Sequence, residues 1–377
     1  MIARLRTYRD HEEAREEWER LSVPLFIGDY PGIRHLPFIF VEGADEDTLF
    51  SLREEVGLLG VKALRCDGAI TRMVVPSPPE VLEWILESSH PRIRSSLRDQ
   101  LDPPAPLPLD LNRPAVMGIL NVTPDSFSDG GLYLDREAAL RRAREMVDQG
   151  ASIIDVGGES TRPYSDPVEE DVELDRVIPV IEELSSLEVP VSVDTRKPGV
   201  AREAVRAGAD MVNDVSGLRD PEMIRAIADT GVPVVVMHML GEPGDMQDRI
   251  HYEDVVGDIM IYLRDRMDSA LRAGVAETDL LIDPGIGFGK RVNDNLDLIR
   301  RLGEFRALGR PVMVGPSRKS FIGRVLGVGS DDRLEGTLAA VTASVMNGAD
   351  VVRAHDVPES ARAVRMADSI VRGFRES

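Results

Sequence analysis

Polar side chains that could bind a heterocycle follow short apolar segments at several points in the C-terminal part of the chain. Asp194, Asn213 and Asp283 each stand at the end of such a segment. Carboxylate and amide oxygens accept hydrogen bonds, so these side chains together suit a flat heterocycle that carries several N–H donors. In the alternative interpretation, Asp194 and Asp283 are N-caps of the helices that follow, which is a common place for aspartate.

Cationic side chains follow other apolar segments in the same part of the chain. They are Arg162, Arg318, Lys319, Arg353 and His355. Scattered lysines and arginines are usually solvated at the surface. A cluster of them in a protein with a net charge of −21 instead indicates an anionic ligand that carries phosphate.

The same segments lack the residues for covalent catalysis and for a metal cage. They contain no Ser-His-Asp arrangement and no thiol, because Cys66 is the only cysteine of the chain. No cluster of His, Asp and Glu has the spacing of a protein-built metal site. A divalent cofactor such as Mg²⁺, if used, would therefore be held by substrate phosphates and one or two protein oxygens, with Asn121 the best protein candidate. In the alternative interpretation Asn121 caps its own loop.

Apolar segments alternate with amphipathic helical patterns from residue 114 onward. Strands that are apolar on both faces, each followed by a helix, are typical of a parallel sheet. Eight such units over 114–377 predict an α/β fold, a closed (β/α)8 TIM barrel, whose usual size is about 250 residues. An open doubly wound sheet is the alternative, but no Gly-x-Gly-x-x-Gly follows the first strand. In a barrel, the polar strand ends lie on one rim, where active sites of this fold are found.

The predicted barrel strands are 116–122, 152–158, 189–195, 211–216, 232–239, 279–285, 311–317 and 351–356. The predicted barrel helices are 137–149, 172–184, 200–207, 221–230, 255–273, 293–302, 334–347 and 359–371.

The N-terminal part of the chain has a different pattern. It predicts a small α+β domain at 1–101, followed by a proline-rich linker at 102–113. Within this domain the predicted strands are 38–41, 61–65 and 70–75, and the predicted helices are 8–20, 46–56 and 78–87. Its sequence indicates no role.

The composition excludes several classes of function. A strongly negative chain is repelled by nucleic acid and by anionic membranes, so neither is an expected partner. No apolar run approaches the ~18 residues that span a bilayer, and the N-terminus has no apolar signal core. We therefore expect a cytoplasmic protein.

The strand-end motifs resemble those of the dihydropteroate synthase family. They follow one another in order over about 115–370. The motifs are Gly118-Ile-Leu-Asn-Val-Thr-Pro-Asp-Ser-Phe-Ser-Asp-Gly-Gly131, Asp155-Val-Gly-Gly-Glu-Ser-Thr-Arg-Pro163, Ser192-Val-Asp-Thr195, Asn213-Asp-Val-Ser-Gly217, Asp283-Pro-Gly-Ile-Gly-Phe-Gly-Lys290, Ser317-Arg-Lys-Ser320 and Arg353-Ala-His-Asp-Val357. Each glycine-rich fragment alone is weakly specific, whereas the ordered set is highly specific.

The resemblance implies a reaction. In the family, 4-aminobenzoate displaces diphosphate from (7,8-dihydropterin-6-yl)methyl diphosphate and gives 7,8-dihydropteroate, on the way to folate. The bond to diphosphate loosens first, and the amine attacks the resulting pterin-stabilised cation. Such a reaction needs no covalent nucleophile, because positioning and stabilisation of the departing anion supply the catalysis. The family also implies a homodimer formed through barrel helices.

The resemblance further implies roles for individual residues. The pterin would be bound by Asp194, Asn213, Met237, Asp283 and Lys319. Diphosphate and Mg²⁺ would be bound by Asn121, Arg353 and His355. The 4-aminobenzoate site would be formed by Thr161, Arg162, Phe288 and Ser317, with Arg162 on a mobile loop. The catalytic residues would be Lys319, Arg162 and Asp194.

One departure from the family pattern concerns the amine. Tyr164 stands where the family commonly has glycine after Arg-Pro, which removes backbone freedom and adds an aromatic ring. A substituted aminobenzoate is therefore an alternative substrate. Two further alternatives are a pterin-dependent methyltransferase and a non-catalytic pterin-binding protein. The methyltransferase would share Asp194, Asn213 and Asp283, but it would not be expected to keep the motifs at 159–163 and 317–320.

Overall fold

The structure is a computed structural model that describes residues 2–6, 38–42, 64–66, 72–76, 82, 85–87, 91–101, 114–122, 131–160, 165, 167–241, 246 and 250–373. Contacts within the chain divide it into two units. The first comprises Met1–Pro104 and Gly303–Gly309, and the second comprises Ala105–Leu302 and Arg310–Ser377. The predicted linker at 102–113 lies outside the described residues, so its boundaries stay a prediction.

The described part of the first unit contains an antiparallel sheet and a helix. The strands are β1 Ile2–Arg6, β2 Phe38–Glu42, β3 Leu64–Cys66 and β4 Arg72–Pro76, in the order β1-β2-β4-β3, and the helix is α1 Pro91–Leu101. Strands β2, β3 and β4 correspond to three predicted strands. The predicted helices at 8–20 and 46–56 lie outside the described residues, and of the helix at 78–87 only residues 82 and 85–87 are described, all of them helical.

The sequence did not predict β1, because arginines stand where its alternation requires buried side chains. Arg4 and Arg6 are both buried in this strand, beside Ile2. The carboxylate of Glu304, which belongs to the same unit, pairs with both guanidinium groups. Ion pairing allows charged side chains to occupy positions that are otherwise apolar, so hydrophobic periodicity does not mark this strand.

The described part of the second unit contains eight parallel strands, which alternate with helices. The strands are β5 Ala115–Asn121, β6 Ile153–Gly157, β7 Val191–Asp194, β8 Met211–Asp214, β9 Val234–Met237, β10 Leu280–Asp283, β11 Met313–Val314 and β12 Val351–Ala354. The helices are α2 Gly131–Asp148, α3 Glu170–Leu184, α4 Pro198–Arg206, α5 Pro221–Thr230, α6 Val255–Arg272, α7 Val292–Arg300, α8 Ser320–Leu326, α9 Leu334–Met346 and α10 Val357–Arg372.

The strands close into a barrel. Their order is β10-β9-β8-β7-β6-β5-β12-β11, and a parallel bridge between Ile282 and Val312 joins the two outer strands. The amide of Ile282 also donates to the carbonyl of Pro311 at 3.0 Å. The predicted (β/α)8 barrel is therefore confirmed. None of the described helices is long and apolar enough to cross a membrane.

A layer of apolar side chains fills the barrel, and strand periodicity places the next inward residues at its carboxyl-terminal end. The layer consists of Ala115, Met117, Ile153, Met211, Val235, Leu281, Met313 and Val351. Side chains alternate between the two faces of a strand, so the residue two positions later also points into the barrel. In five strands that later residue is Asp155, Asn213, Met237, Asp283 or Arg353.

Local signals explain where the elements begin and end. The side chain of Asp220 accepts the amide of Glu222 at 2.8 Å, and Gly231 has a φ of 66°, so α5 has the predicted bounds. Several strands are shorter than predicted at their carboxyl ends. In β8, the carboxylate of Asp214 accepts the amides of Ser216 and Leu218, both at 2.8 Å, and this turn ends the strand.

Candidate active site

A hydrogen-bonded network joins the ends of four strands inside the barrel. The guanidinium of Arg353 donates from Nε to Asp155 Oδ2 and from Nη2 to Asp194 Oδ2, both at 2.6 Å. The amide of Asn213 donates from Nδ2 to the same oxygen of Asp155 at 3.0 Å. Asp155, Asp194 and Asn213 are all buried, so these contacts lie away from bulk water.

This network leaves acceptors without partners. Oδ1 of Asp155, Oδ1 of Asp194 and Oδ1 of Asn213 are buried, and none of them has a hydrogen-bond partner among the described residues. A buried oxygen without a partner costs free energy, and native structures keep few of them. Three such oxygens around one network indicate a site for a ligand with several N–H donors.

A second group surrounds Asp283 and Lys319. Asp283 Oδ1 accepts the amide of Gly285 at 2.7 Å, and burial raises the pKa of Asp283 to about 6. Lys319 Nζ lies 3.9 Å from the centre of the Phe288 ring, a cation–π contact. Burial lowers the pKa of Lys319 to about 8, and the charge of Arg353 acts in the same direction. An acceptor, an aromatic face and a cation therefore lie together.

Apolar residues form the wall beside this group. Met237 and Phe288 belong to a buried cluster with Val215, Met239 and Met246. Such a wall favours a ligand with an apolar face over a small hydrated ion.

Burial also acts on Asp194. It raises the pKa of this carboxyl group, and the nearby carboxylate of Asp155 adds to the effect, while the charge of Arg353 opposes it. The ion pair and the buried second carboxylate together hold the site near a balance of charge.

His355 and Ser317 form a pair at the ends of β12 and β11. Ser317 Oγ accepts the backbone amide of His355 at 3.2 Å and lies 3.0 Å from His355 Nδ1. Burial and the charge of Arg353 together lower the pKa of His355 to about 3, so the imidazole is neutral. Arg318 does not join this pair. Its side chain is exposed and bonds the carboxylate of Asp356, with Nε to Oδ2 at 2.9 Å.

Asn121 lies at the end of β5, in register with Gly157 of β6. A Cβ atom placed on Gly157 would be 3.7 Å from Asn121 Oδ1 and 3.5 Å from Asp194 Cβ. A side chain at residue 157 would therefore contact both Asn121 and Asp194. Among the described residues, no group of three or more His, Cys, Asp and Glu side chains could hold a metal ion.

Thr161, Arg162 and Tyr164 lie outside the described residues. The described residues on either side of them are fixed by a charged network. Glu159 accepts Arg196 Nη2 at 3.0 Å, Lys197 Nζ at 2.5 Å and the amide of Val168 at 3.3 Å. Burial alone would raise the pKa of Glu159, but the hydrogen bond from Lys197 and the two cationic charges lower it.

Sequence reasoning missed two buried residues of this region. Asp155 stands inside a strand, where an isolated carboxylate gives no pattern. Lys290 follows a glycine-rich loop and resembles a surface lysine in the sequence. Its Nζ lies 3.0 Å from His238 Nδ1 and donates to the carbonyl of Phe288 at 2.9 Å. Burial lowers the pKa of Lys290 to about 7 and the pKa of His238 well below its ordinary value.

Comparison with known proteins agrees with this geometry. Residues 117–355 match the family described as pterin binding enzymes. The chain belongs to this family. The family match includes every strand of the barrel except the first two residues of β5, and it leaves Met1–Pro104 of the first unit outside.

Pterin binding enzymes similar to the chain carry the name dihydropteroate synthase. That of Escherichia coli (strain K12) is 47% identical over 262 residues, which cover 69% of this chain and 93% of the relative. The structure of the Yersinia pestis enzyme with a sulfonamide drug has a TM-score of 0.67 at 44% identity and covers 71% of this chain and 98% of that one. The structure of the Xanthomonas albilineans enzyme with 4-aminobenzoic acid has a TM-score of 0.65 at 46% identity and covers 70% of this chain and 94% of that one. The predicted resemblance to dihydropteroate synthase, and with it the prediction of a transferase, is confirmed.

Proposed function

We propose that the chain catalyses the dihydropteroate synthase reaction, in which 4-aminobenzoate and (7,8-dihydropterin-6-yl)methyl diphosphate give 7,8-dihydropteroate and diphosphate. The observation that carries this proposal is the set of buried, unpartnered oxygens beside half-buried cations at the carboxyl-terminal end of the barrel. The relatives bear the name of this activity. A dihydropterin diphosphate offers N–H donors at one end and an anion at the other, so it matches both kinds of group.

The pterin ring would lie among Asp194, Asn213 and Asp283, whose oxygens accept its N–H groups. Lys319 would donate to an acceptor on the ring, since its ammonium is held over Phe288 next to Asp283. Met237 belongs to the same buried cluster as Phe288 and supplies an apolar surface for the flat ring. These assignments are the ones that the likeness to the dihydropteroate synthase family implies, and the positions of Asp194, Asn213 and Asp283 near strand ends support them.

The diphosphate would be bound by Arg353 and His355. Ser317 Oγ accepts the amide of His355, so its hydroxyl proton can bond Nδ1, which leaves the proton of the neutral ring on Nε2. His355 then serves as an N–H donor to an oxyanion and Arg353 supplies the charge. Both donors are fixed before the substrate arrives, which is the arrangement that stabilises a departing anion.

The reaction would proceed by loss of the leaving group. The C–O bond to diphosphate breaks, the electron pair leaves with the oxygen, and the pterin shares the positive charge that remains. The nitrogen of 4-aminobenzoate then forms the C–N bond and loses one proton to solvent. Asp194 would stabilise the cation, because its carboxylate lies against the ring site, and Lys319 would orient the ring.

The residues present fit Mg²⁺ that is bound mainly by the substrate. Asn121 offers one amide oxygen beside Gly157, and a single protein oxygen is compatible with an ion held by phosphates. When bound, Mg²⁺ would neutralise charge on the diphosphate. Asn121 would orient the phosphate end of the substrate towards Arg353.

The amine site would lie beside Phe288 and Ser317, with Thr161 and Arg162 from the part of the sequence that follows β6. The Xanthomonas albilineans relative was solved with 4-aminobenzoic acid, which supports this choice of amine. Arg162 would bond the carboxylate of the amine. A substituted aminobenzoate remains the alternative substrate, because Tyr164 adds an aromatic ring to this part of the sequence.

We also propose a homodimer. Three neighbouring helices, α8, α9 and α10, expose large apolar side chains, and an apolar patch of this kind marks an interface. The exposed apolar side chains on these helices are Val325, Leu326, Leu334, Met346, Met366, Ile370 and Val371. Light scattering after gel filtration should give twice the mass of the chain, and Met366→Glu should give the single mass. A cytoplasmic location stays a prediction from the sequence.

Amine-dependent release of diphosphate tests the proposed reaction. Purified protein is incubated with Mg²⁺ and the dihydropterin diphosphate, with and without 4-aminobenzoate, and the products are identified by mass. We expect diphosphate and dihydropteroate only when the amine is present. Saturable pterin binding without any release would instead identify a binding protein, and methyl transfer to a corrinoid protein would identify the methyltransferase.

A further inference from the structure

Asp155 is a buried carboxylate to which the proposed reaction has so far given no role. It is completely buried in β6, and its side chain points into the barrel two positions after Ile153 of the apolar layer. Its Oδ2 accepts Arg353 Nε at 2.6 Å and Asn213 Nδ2 at 3.0 Å. One oxygen therefore bonds two side chains that are proposed to bind different ends of the substrate.

The contact with Asn213 fixes the orientation of its amide. A carboxylate oxygen can only accept, so the group of Asn213 that faces Asp155 must be its NH₂. Oδ1 of Asn213 is then turned away from Asp155, and it is the atom that is buried without a partner. Asp155 thus determines that residue 213 offers an acceptor to a ligand rather than a donor.

The contact with Arg353 fixes the guanidinium. Asp155 takes Nε, and Asp194 takes Nη2 on the neighbouring strand β7, so the planar group is bound at two positions. A guanidinium with two carboxylate partners has little rotational freedom, and its remaining N–H groups face a defined direction.

Two other buried aspartates of the barrel, Asp350 and Asp214, have a different kind of partner. Asp350 Oδ2 accepts the backbone amide of Val312 at 2.9 Å, and Asp214 accepts the backbone amides that end β8. Such contacts stabilise the fold directly. The hydrogen bonds that Asp155 makes in the described part of the chain are to two side chains of the site, so its burial is explained by the site and not by the backbone.

We propose that Asp155 is a positioning residue, which sets the Asn213 amide as an acceptor for the pterin ring and fixes Arg353 for the diphosphate. This inference rests on the proposed function. It predicts that Asp155 affects the pterin substrate and has little effect on the amine.

Steady-state kinetics of Asp155→Ala test the inference, with Asp350→Asn as the control for a buried aspartate at the other end of the barrel. We expect the KM for the dihydropterin diphosphate to rise by about tenfold or more, the effect of losing a hydrogen bond to a charged group, with the KM for 4-aminobenzoate nearly unchanged. Asp155→Asn keeps an acceptor oxygen and should restore part of the affinity. Asp350→Asn should lower the melting temperature and leave both KM values near those of the wild type.

A double-mutant cycle shows whether Asp155 acts through Asn213. In the Asn213→Ala background, Asp155→Ala should raise the pterin KM by much less than it does alone, because one of its two partners is already missing. Full additivity, or a folded Asp155→Ala variant with unchanged pterin KM, would overturn the inference.

Calorimetric binding of the dihydropterin diphosphate distinguishes a failure of this inference from a failure of the proposed function. If the wild type does not bind it, the proposed function fails; if wild type and Asp155→Ala bind it equally, only this inference fails.

Discussion

The two ends of the barrel differ in what their buried polar groups bond. Near the amino-terminal end, the carboxylate of Asp350 accepts the backbone amide of Val312 at 2.9 Å. At the carboxyl-terminal end, Asp155, Asp194 and Asn213 bond one another and Arg353, and each of the three keeps one buried oxygen without a partner. Between the two ends lies the apolar layer of the strands.

On these strands, the apolar residue that stabilises the fold and the polar residue proposed to bind the ligand are only two positions apart. Burial of apolar groups and satisfied carboxylates lowers the free energy of the folded chain. Buried oxygens without partners raise it, so the carboxyl-terminal end is stabilised less than its burial alone would allow. The free energy that is lost there can be recovered when a ligand supplies N–H donors.

The strongest test of this difference removes one cation at the carboxyl-terminal end. We expect Lys319→Ala and Arg353→Ala each to lower kcat by about a hundredfold or more, the usual effect of deleting a donor to a developing charge. Circular dichroism should show that both variants remain folded. Wild-type rates in both would remove the site from this end of the barrel.

Arg310 provides the matched control, because it is a buried cation before β11 at the opposite end. Its Nη2 bonds Glu277 Oε1 at 2.7 Å. Arg310→Ala should lower the melting temperature and leave kcat and both KM values near the wild-type values.

Truncation in the apolar layer should lower stability and leave catalysis largely intact, which is the opposite of the result expected for Lys319→Ala and Arg353→Ala. Leu281 is fully buried, two positions before Asp283. Leu281→Ala should reduce the free energy of unfolding by about 2–5 kcal/mol, measured by urea denaturation, because it removes apolar contacts and leaves a cavity. The folded fraction should keep most of its kcat. A large loss of kcat without a loss of stability would show that the two ends are not separable.

The pH dependence of kcat/KM for the pterin substrate should be bell-shaped. Burial raises the pKa of Asp194 to about 7 and that of Asp283 to about 6, so these carboxylates become protonated, Asp194 first, and stop accepting hydrogen bonds as the pH falls through these values. The pKa of Lys319 is lowered to about 8, so its charge is lost as the pH rises above that value. We expect a maximum between these limits, with rates measured from pH 5 to 9 in one buffer series.

Lys319→Arg sharpens this prediction. An arginine keeps its charge over the whole range, so any activity that remains should lack the alkaline limb. An alkaline limb that persists in the variant would assign it to another group.

The smallest expected effect compares two glycines that both have positive φ. Gly287 has a φ of 84°, and a Cβ atom there would lie 2.9 Å from Lys319 Cδ, whereas Gly231 has a φ of 66° and nothing within 4 Å. Both substitutions to alanine should cost about 1 kcal/mol of stability through backbone strain. Only Gly287→Ala should also raise the pterin KM, by a few fold, since it displaces Lys319. Equal kinetics for the two variants would contradict the placement of Lys319.

The fold of the barrel was predictable because its sequence has a clear period. Apolar segments, helical patterns and terminal glycines recur, and each is a local signal that survives in the structure. Helix α8, which has only seven residues, gives too short a pattern to be predicted. Strand β1 was missed because Arg4 is buried there by an ion pair with Glu304, a contact distant in sequence.

Part of the site was predictable for the same reason. Asp194, Asn213 and Asp283 end apolar strands, so their position on one rim follows from the barrel. Asp155 and Lys290 could not be found in this way, since their importance lies in partners that only the closed barrel brings near. Lys290 bonds His238, which is 52 residues away in the chain.

The central claim is that the buried oxygens without partners accept N–H groups of the pterin ring. Binding of the dihydropterin diphosphate to the wild type and to Asp194→Asn tests this claim most directly. An asparagine can keep its oxygen towards Arg353, but it must then turn an NH₂ group towards the position of the unpartnered Oδ1. A ligand that donates N–H bonds there would meet a donor. Calorimetry should therefore show tight binding to the wild type and at least about a tenfold loss in the variant. Equal affinities would show that the unpartnered oxygen does not bind the pterin ring, and the account of this end of the barrel would be wrong.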